Sequence, residues 1–163
     1  MTASLQIHGT CVALNGIGVL LRGPAGSGKS DLALRLIEDG AVLVADDLCE
    51  IRREAERLMI DLPAAVDPRF RGKIERRGEG ILLRPYFGPA TLGLVADLRV
   101  VSAGEILPET VEFLGLKRRL ISLEPFLPGA IAKLRSKATR VPEQDLPIRP
   151  TDLIGKSCSD SID

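Results

Sequence analysis

The sequence predicts an α/β domain built on a phosphate-loop core, with a mixed sheet and few helices. Three stretches lead to that expectation. Gly23-Pro24-Ala25-Gly26-Ser27-Gly28-Lys29-Ser30 fits the pattern G-x-x-x-x-G-K-[ST], entered from the apolar run Val19-Leu20-Leu21 and followed by a helical pattern over 31–38. Ala41-Val42-Leu43-Val44-Ala45 is then continuously apolar, as expected of a buried parallel strand. Asn15-Gly16, between two apolar segments, is a strong two-residue hairpin signal and predicts an antiparallel pair ahead of the loop.

The chemistry of the loop explains its spacing. Gly23 ends a strand, and Gly26 and Gly28 let the chain turn so that successive backbone N–H groups point inward. The unpaired N–H groups and dipole of the following helix complete a cup for an anion. Lys29 supplies charge for the outer phosphates, and the Ser30 hydroxyl can ligate Mg²⁺. The whole stretch, Gly23, Pro24, Ala25, Gly26, Ser27, Gly28, Lys29 and Ser30, is the candidate nucleotide-binding segment.

The remaining elements follow in order. Residues 5–14 read as one strand carrying His8, the only histidine; it is either an ordinary strand residue or a phosphate ligand beside the loop. Leu32, Leu36 and Ile37 share one side of the helix, and Gly40 is placed to stop it. Asp46-Asp47 ends the apolar strand, where a βαβ unit places its ligand crevice, so two carboxylates stand ready for Mg²⁺ and for proton abstraction. Residues 49–60 fit a helical stripe slightly better than a hairpin. Pro63 and Pro68 mark a loop, and the basic cluster Arg69, Arg71, Lys73, Arg76 and Arg77 is either solvated or a surface for an acidic partner. Strands are expected at 81–83, 91–100 and 119–123, a loop over 102–116 and a helix over 130–137. Residues 141–163 carry prolines and polar residues without a core-forming pattern, so the domain is expected to end near 140 before a disordered tail.

Composition narrows the function classes. With 163 residues the chain can bury one sizeable core. No apolar run approaches the length needed to cross a bilayer, and the N-terminus lacks the basic and apolar regions of a signal peptide. The formal net charge of +0 offers no electrostatic case for nucleic acid. Cys11, Cys49 and Cys158 form no C-x-x-C pair, so free thiols in a reducing compartment, the cytoplasm, are expected.

With these residues assembled, the chain resembles the catalytic domain of bacterial HPr kinase/phosphorylase. The likeness runs through His8-Gly9-Thr10, through residues 16–30 and through Leu43-Val44-Ala45-Asp46-Asp47, with the offset from Lys29 to Asp46 matching the family. A second signature, E-x-R-G-x-G-I, stands as Glu75-Arg76-Arg77-Gly78-Glu79-Gly80-Ile81. The resemblance covers about residues 5–100. It implies a largely β domain, a hairpin rather than a helix at 49–60, ATP and Mg²⁺ as cofactors, and the phosphocarrier HPr as the partner. It implies serine phosphorylation, phosphorolysis of phosphoserine, and assembly as a homo-oligomer, usually a hexamer. On this basis Asp46 is the expected general base, Asp47 supports it and the metal, and Ser30 and Glu75 join Asp47 as metal ligands. Lys29, Arg77 and His8 are expected to contact phosphate or partner.

Three departures from the family pattern stand out. The resemblance is to the short form without the usual N-terminal domain. Glu79 replaces an apolar residue between the signature glycines, and the late loop Pro125-Phe126-Leu127-Pro128-Gly129-Ala130 lacks the family's arginine. A phosphotransferase for a small metabolite and a non-catalytic nucleotide sensor are the competing functions, although a sensor has no need of paired carboxylates at the strand end.

Overall fold

A computed structural model describes residues 3–138. The expected tail at 141–163, the boundary near 140 and Cys158 lie outside the described residues.

The chain opens with β1 (Ser4–His8), β2 (Thr10–Leu14) and β3 (Ile17–Arg22), then helix α1 (Lys29–Glu38) and β4 (Val42–Ala45). Two hairpins follow, β5 (Leu48–Glu54) with β6 (Arg57–Asp61), and β7 (Lys73–Arg76) with β8 (Gly80–Leu83). The long strand β9 (Ala90–Leu98) precedes a further hairpin, β10 (Thr110–Phe113) and β11 (Leu116–Leu123), and the described part closes with helix α2 (Ala130–Ala138).

The main sheet runs β1-β5-β6-β9-β3-β2-β4. Strand β9 is its hub. It pairs in parallel with β3 along one edge. Its other edge is shared, antiparallel to β6 at Ala90 and Thr91 and parallel to β11 from Leu94 to Leu98. The central strands are buried on both faces, which is why they read as unbroken apolar runs. Val12, Leu14, Val19 and Leu21 pack on the face that carries α1 and α2, while Cys11, Ala13 and Leu20 pack with β5, β6 and Phe113.

Local signals held where the chemistry is local. Asn15 and Gly16 turn with φ of 51° and 82°, as a tight right-twisting hairpin requires. Leu32 and Leu36 are buried, and the chain leaves α1 through Gly40 at φ 105°. Residues 48–61 form the hairpin implied by the resemblance, not the helix favoured by periodicity. Cys49, Ile51, Leu58 and Ile60 alternate inward, and a strand with period 2 explains their burial fully.

Other expectations need correction. Residues 5–14 are not one strand. The chain breaks at Gly9, so that β1 pairs with β5 while β2 pairs with β3 and β4. A Cβ at Gly9 would sit 2.8 Å from the Leu21 carbonyl oxygen, closer than real side chains come. Strand β4 is not a parallel neighbour of β3. It pairs antiparallel with β2, which lies between them, so β3 and β4 share a direction without sharing hydrogen bonds. A continuous apolar run reports burial on both faces and says nothing about the neighbour's direction. Residues 102–116 hold β10, whose turn uses Leu114 and Gly115 at positive φ. The basic segment holds β7, a strand that buries only Ile74.

Replacing Gly9 with Ala tests the break between β1 and β2. The added methyl meets a backbone oxygen that cannot move aside, and overpacking of this kind costs about 1–3 kcal/mol. Urea unfolding should show a lower midpoint with an unchanged slope. Wild-type stability would mean that β1 and β2 can pivot without a bare Cα.

Candidate active site

Strands β3, β4, β9 and β11 all point the same way, so the loops that leave them gather along one edge of the sheet. Strand β2 runs the opposite way and begins at that edge with Thr10. Arg22 and Asp97 tie the ends of β3 and β9 together by two parallel hydrogen bonds, Nε to Oδ1 at 2.8 Å and Nη2 to Oδ2 at 3.0 Å. This planar fork fixes the exit direction of the chain into Gly23.

The loop from Gly23 turns through Gly26 and Gly28 at φ of 81° and 94°, and Gly28 is the N-cap of α1. The first helical bond runs from Leu32 N–H to Gly28 O at 2.9 Å. The N–H groups of Lys29, Ser30 and Asp31 precede it without a helical acceptor, as at an anion site, and these three residues line the cleft. Lys29 is folded back on the loop, its Nζ donating to the carbonyls of Gly23 at 2.5 Å and Pro24 at 3.1 Å. The Ser27 hydroxyl is buried beneath the loop and has no hydrogen-bond partner among the described residues.

Asp46 is the junction of the site. Its Oδ1 accepts from Thr10 Oγ1 at 2.8 Å and from Ser30 Oγ at 3.0 Å, and its Oδ2 accepts from the backbone N–H of Glu75 at 3.0 Å. Just after it the chain reverses into β5. Asp47 takes the reversal at φ 72°, an uncommon conformation that aspartate tolerates better than most residues. Its side chain is exposed, while its carbonyl accepts from Gly9 N–H at 3.0 Å.

These groups wall a cleft of about 560 Å³. Lys29, Ser30, Asp46, Asp47, Glu75 and Arg77 all line it, as do Gly26 and Gly28 of the loop. The Arg77 guanidinium reaches to 3.6 Å from where a Cβ on Gly26 would be, so the signature segment folds over the phosphate loop. His8 is exposed at the end of β1 opposite Leu48 and is not among the residues lining the cleft.

The basic cluster disperses. Arg71 forms a two-pronged ion pair with Asp61, which holds its guanidinium more firmly protonated. Arg69 pairs with Asp67, and Lys73 lies over the Phe70 ring. Only Arg76 and Arg77 reach the cleft. Lys117, Arg118, Arg119 and Lys133, the cations nearest the late loop in sequence, do not line it.

Two site residues escaped the sequence reading. Thr10 begins a strand like many threonines, and only its distance to Asp46 reveals its part. Phe126 lines the cleft from the loop after β11, 69% exposed, and nothing in the local pattern sets it apart. Cys49, by contrast, is no nucleophile. Burial pushes its thiol up to about 12, with Asp46, Asp61 and Asp47 adding to the effect, so it stays protonated near neutral pH.

Comparison with known proteins follows the same outline. The chain is 41% identical over 97 residues to the HPr kinase/phosphorylase of Chlorobium limicola, an alignment that takes in 59% of this chain and 29% of that protein. It is 32% identical over 154 residues to the HPr kinase/phosphorylase of Bacillus pumilus, covering 92% of this chain and 44% of that one. The chain thus spans less than half the length of these curated relatives. Its fold matches the solved structure described as the Hpr(Ser) kinase/phosphatase from Coxiella burnetii with a TM-score of 0.63 at 21% identity, over 83% of this chain and 94% of that one. The family described as HPr Serine kinase C-terminal domain matches residues 1–102, the part that holds the phosphate loop, the paired carboxylates and the signature segment, and the chain belongs to that family.

Proposed function

We propose that this chain is the catalytic unit of a serine kinase that uses ATP and Mg²⁺ to phosphorylate an HPr-type phosphocarrier protein. The observation that carries the reading is the meeting of a phosphate-loop hydroxyl with a carboxylate, Ser30 Oγ to Asp46 Oδ1 at 3.0 Å, on the floor of the cleft. The names of the relatives supply the substrate.

The donor set suits magnesium. That ion prefers oxygen ligands and keeps few protein contacts when substrate phosphates complete its shell. Among the described residues no three His, Cys, Asp or Glu side chains lie close enough to cage an ion alone. A hydroxyl and two flanking carboxylates, from Ser30, Asp47 and Glu75, are the groups to hold it. Bound there, Mg²⁺ would neutralise charge on the transferring phosphates.

The chain's own residues do the rest. Lys29 exchanges its two loop carbonyls for phosphate oxygens. Loop N–H groups cradle the phosphate that stays behind. Asp46 receives the proton of the seryl hydroxyl as its oxygen attacks phosphorus. Three donors occupy three of the roughly four acceptor positions of a carboxylate, which leaves one on Oδ2 for that proton. In the reverse direction inorganic phosphate attacks phosphoserine, the bond from phosphorus to the seryl oxygen breaks, and Asp46 returns the proton as pyrophosphate forms. Two anions must then lie close together, with Arg77 over the loop as the added donor; His8, expected from the sequence to share this part, stands outside the cleft. Cytoplasmic location and a homo-oligomeric state, the hexamer of the family, belong to the same proposal; no helix among the described residues is long and apolar enough to cross a membrane.

A second reading concerns the base. Asp47 is exposed to the cleft and has no side-chain partner among the described residues, so its carboxylate is open to a substrate proton, leaving Asp46 as the metal-side group.

Three measurements test these roles. Lys29→Ala should remove most phosphoryl transfer from ATP to HPr while the thermal unfolding profile stays unchanged; a wild-type rate would refute the loop assignment. Asp46→Asn should lower transfer about 10²- to 10⁴-fold with ATP affinity retained. If Asp47→Asn has that effect and Asp46→Asn does not, the base is Asp47. Finally, phosphoserine-HPr with saturating phosphate should release pyrophosphate more slowly than the forward reaction runs, because among the described residues none of Lys117, Arg118, Arg119 and Lys133 lines the cleft in place of the arginine missing from the late loop. Equal rates would show that arginine to be dispensable. No transfer to HPr, with turnover on a small acceptor, would favour the metabolite kinase; tight ATP binding without any transfer would favour the sensor.

A further inference from the structure

Phe126 combines exposure with an anchored backbone. Its loop leaves β11 at the edge of the sheet where the phosphate loop lies. Pro125 is buried, and its carbonyl accepts from the Arg35 guanidinium of α1. Arg35 is itself held by Asp31, Nε to Oδ2 at 3.1 Å, in the first turn of that helix. On the other side Ala130 N–H returns to Leu127 O at 3.1 Å and starts α2. The position of the ring is therefore set by the helix that begins at the phosphate loop.

The ring meets the loop tip first. A Cβ on Gly28 would lie 2.8 Å from Cζ, and 3.3 and 3.4 Å from Cε1 and Cε2. Distances this short to both Cε atoms put Gly28 over the Cζ end of one face of the ring. At 69% exposure most of the ring nonetheless remains open to solvent. A largely exposed aromatic ring on the wall of a cleft that also holds Lys29 and Ser30 is suited to a flat ligand attached to phosphates. Aromatic side chains bind nucleobases by such stacking, whatever the base, because every base has a π-face.

We propose that Phe126 is the platform on which the base of a nucleoside triphosphate stacks while its phosphates occupy the loop from Gly23 to Ser30. The proposal rests on the nucleotide-binding reading above and adds the element that reading lacks, a contact for the base. It also explains why the ring is tolerated in water: the apolar surface is covered once nucleotide is bound. Gly28 is then bare for two reasons, its left-handed φ and the approach of the ring.

The test compares ATP with inorganic tripolyphosphate, which has the phosphates and no base. Calorimetry on wild type and Phe126→Ala should show ATP weakened by about tenfold or more and tripolyphosphate unchanged. The sequence contains no tryptophan, so Phe126→Trp introduces the only one. Its fluorescence should be quenched by ATP and not by tripolyphosphate, with ATP affinity at least that of wild type. Equal weakening of both ligands in Phe126→Ala would overturn the proposal, since the ring would then act by shaping the loop. Unchanged affinity for both, or no quenching by ATP, would overturn it too. Failure of the wild type to bind either ligand is a different result, which removes the nucleotide reading and this proposal together.

Discussion

The Asp46 carboxylate accepts from a hydroxyl on β2, a hydroxyl on α1 and a backbone N–H on β7. Three segments distant in the chain are thereby held on one side chain at the end of β4. Hydrogen bonds to an ionised acceptor are stronger than neutral ones, and each loses its partner if the carboxylate is removed. The same contacts set the distance between the phosphate loop and the signature segment. Under the proposed function, catalytic geometry and local stability share one group, an arrangement in which the two are hard to separate by deletion and easier to separate by an isosteric amide.

What brings these segments together is the direction of the strands. Four strands end at the same edge of the sheet and a fifth begins there. Crevices outside the carboxyl ends of parallel strands are the usual ligand sites of open α/β sheets. Here an antiparallel strand, β2, separates β3 from β4. It supplies Thr10 as a donor to Asp46, beside the direct bond from Ser30 of the phosphate loop. The Arg22–Asp97 fork closes the edge from the other side by fixing β3 to β9 immediately before Gly23. The rim is then completed by loops rather than by regular structure, as befits residues that must meet a substrate.

Buried groups near the site are as informative as exposed ones. Cys49 lies beneath the paired aspartates, and its thiol is held neutral by burial and by their charge. A reactive thiolate there would compete with the carboxylates and is excluded by the same electrostatics that would favour a metal ion above them. The apolar strands around it keep the cleft floor rigid, since close-packed interiors give little under load.

The sequence by itself determined what depends on neighbours along the chain. The glycines and lysine of the phosphate loop, the Asn15-Gly16 turn, the stop at Gly40 and the length of α1 all follow from steric and hydrogen-bonding limits within a few residues. Tertiary structure decided the rest. Gly9 as a pivot, β4 beside β2, β10 within an expected loop and β5–β6 as a hairpin were settled by pairing between strands, where burial outweighs local periodicity. The basic cluster was legible as composition. Only the partners Asp61, Asp67 and Phe70 determined which of its cations are occupied and left Arg77 at the cleft. Thr10 and Phe126 lay within stretches that resemble the family, but neither was marked out as a site residue. Each owes its place to strand order, because a side chain's chemistry depends on what the fold sets opposite it, and that is fixed by contacts the chain makes only once it has closed.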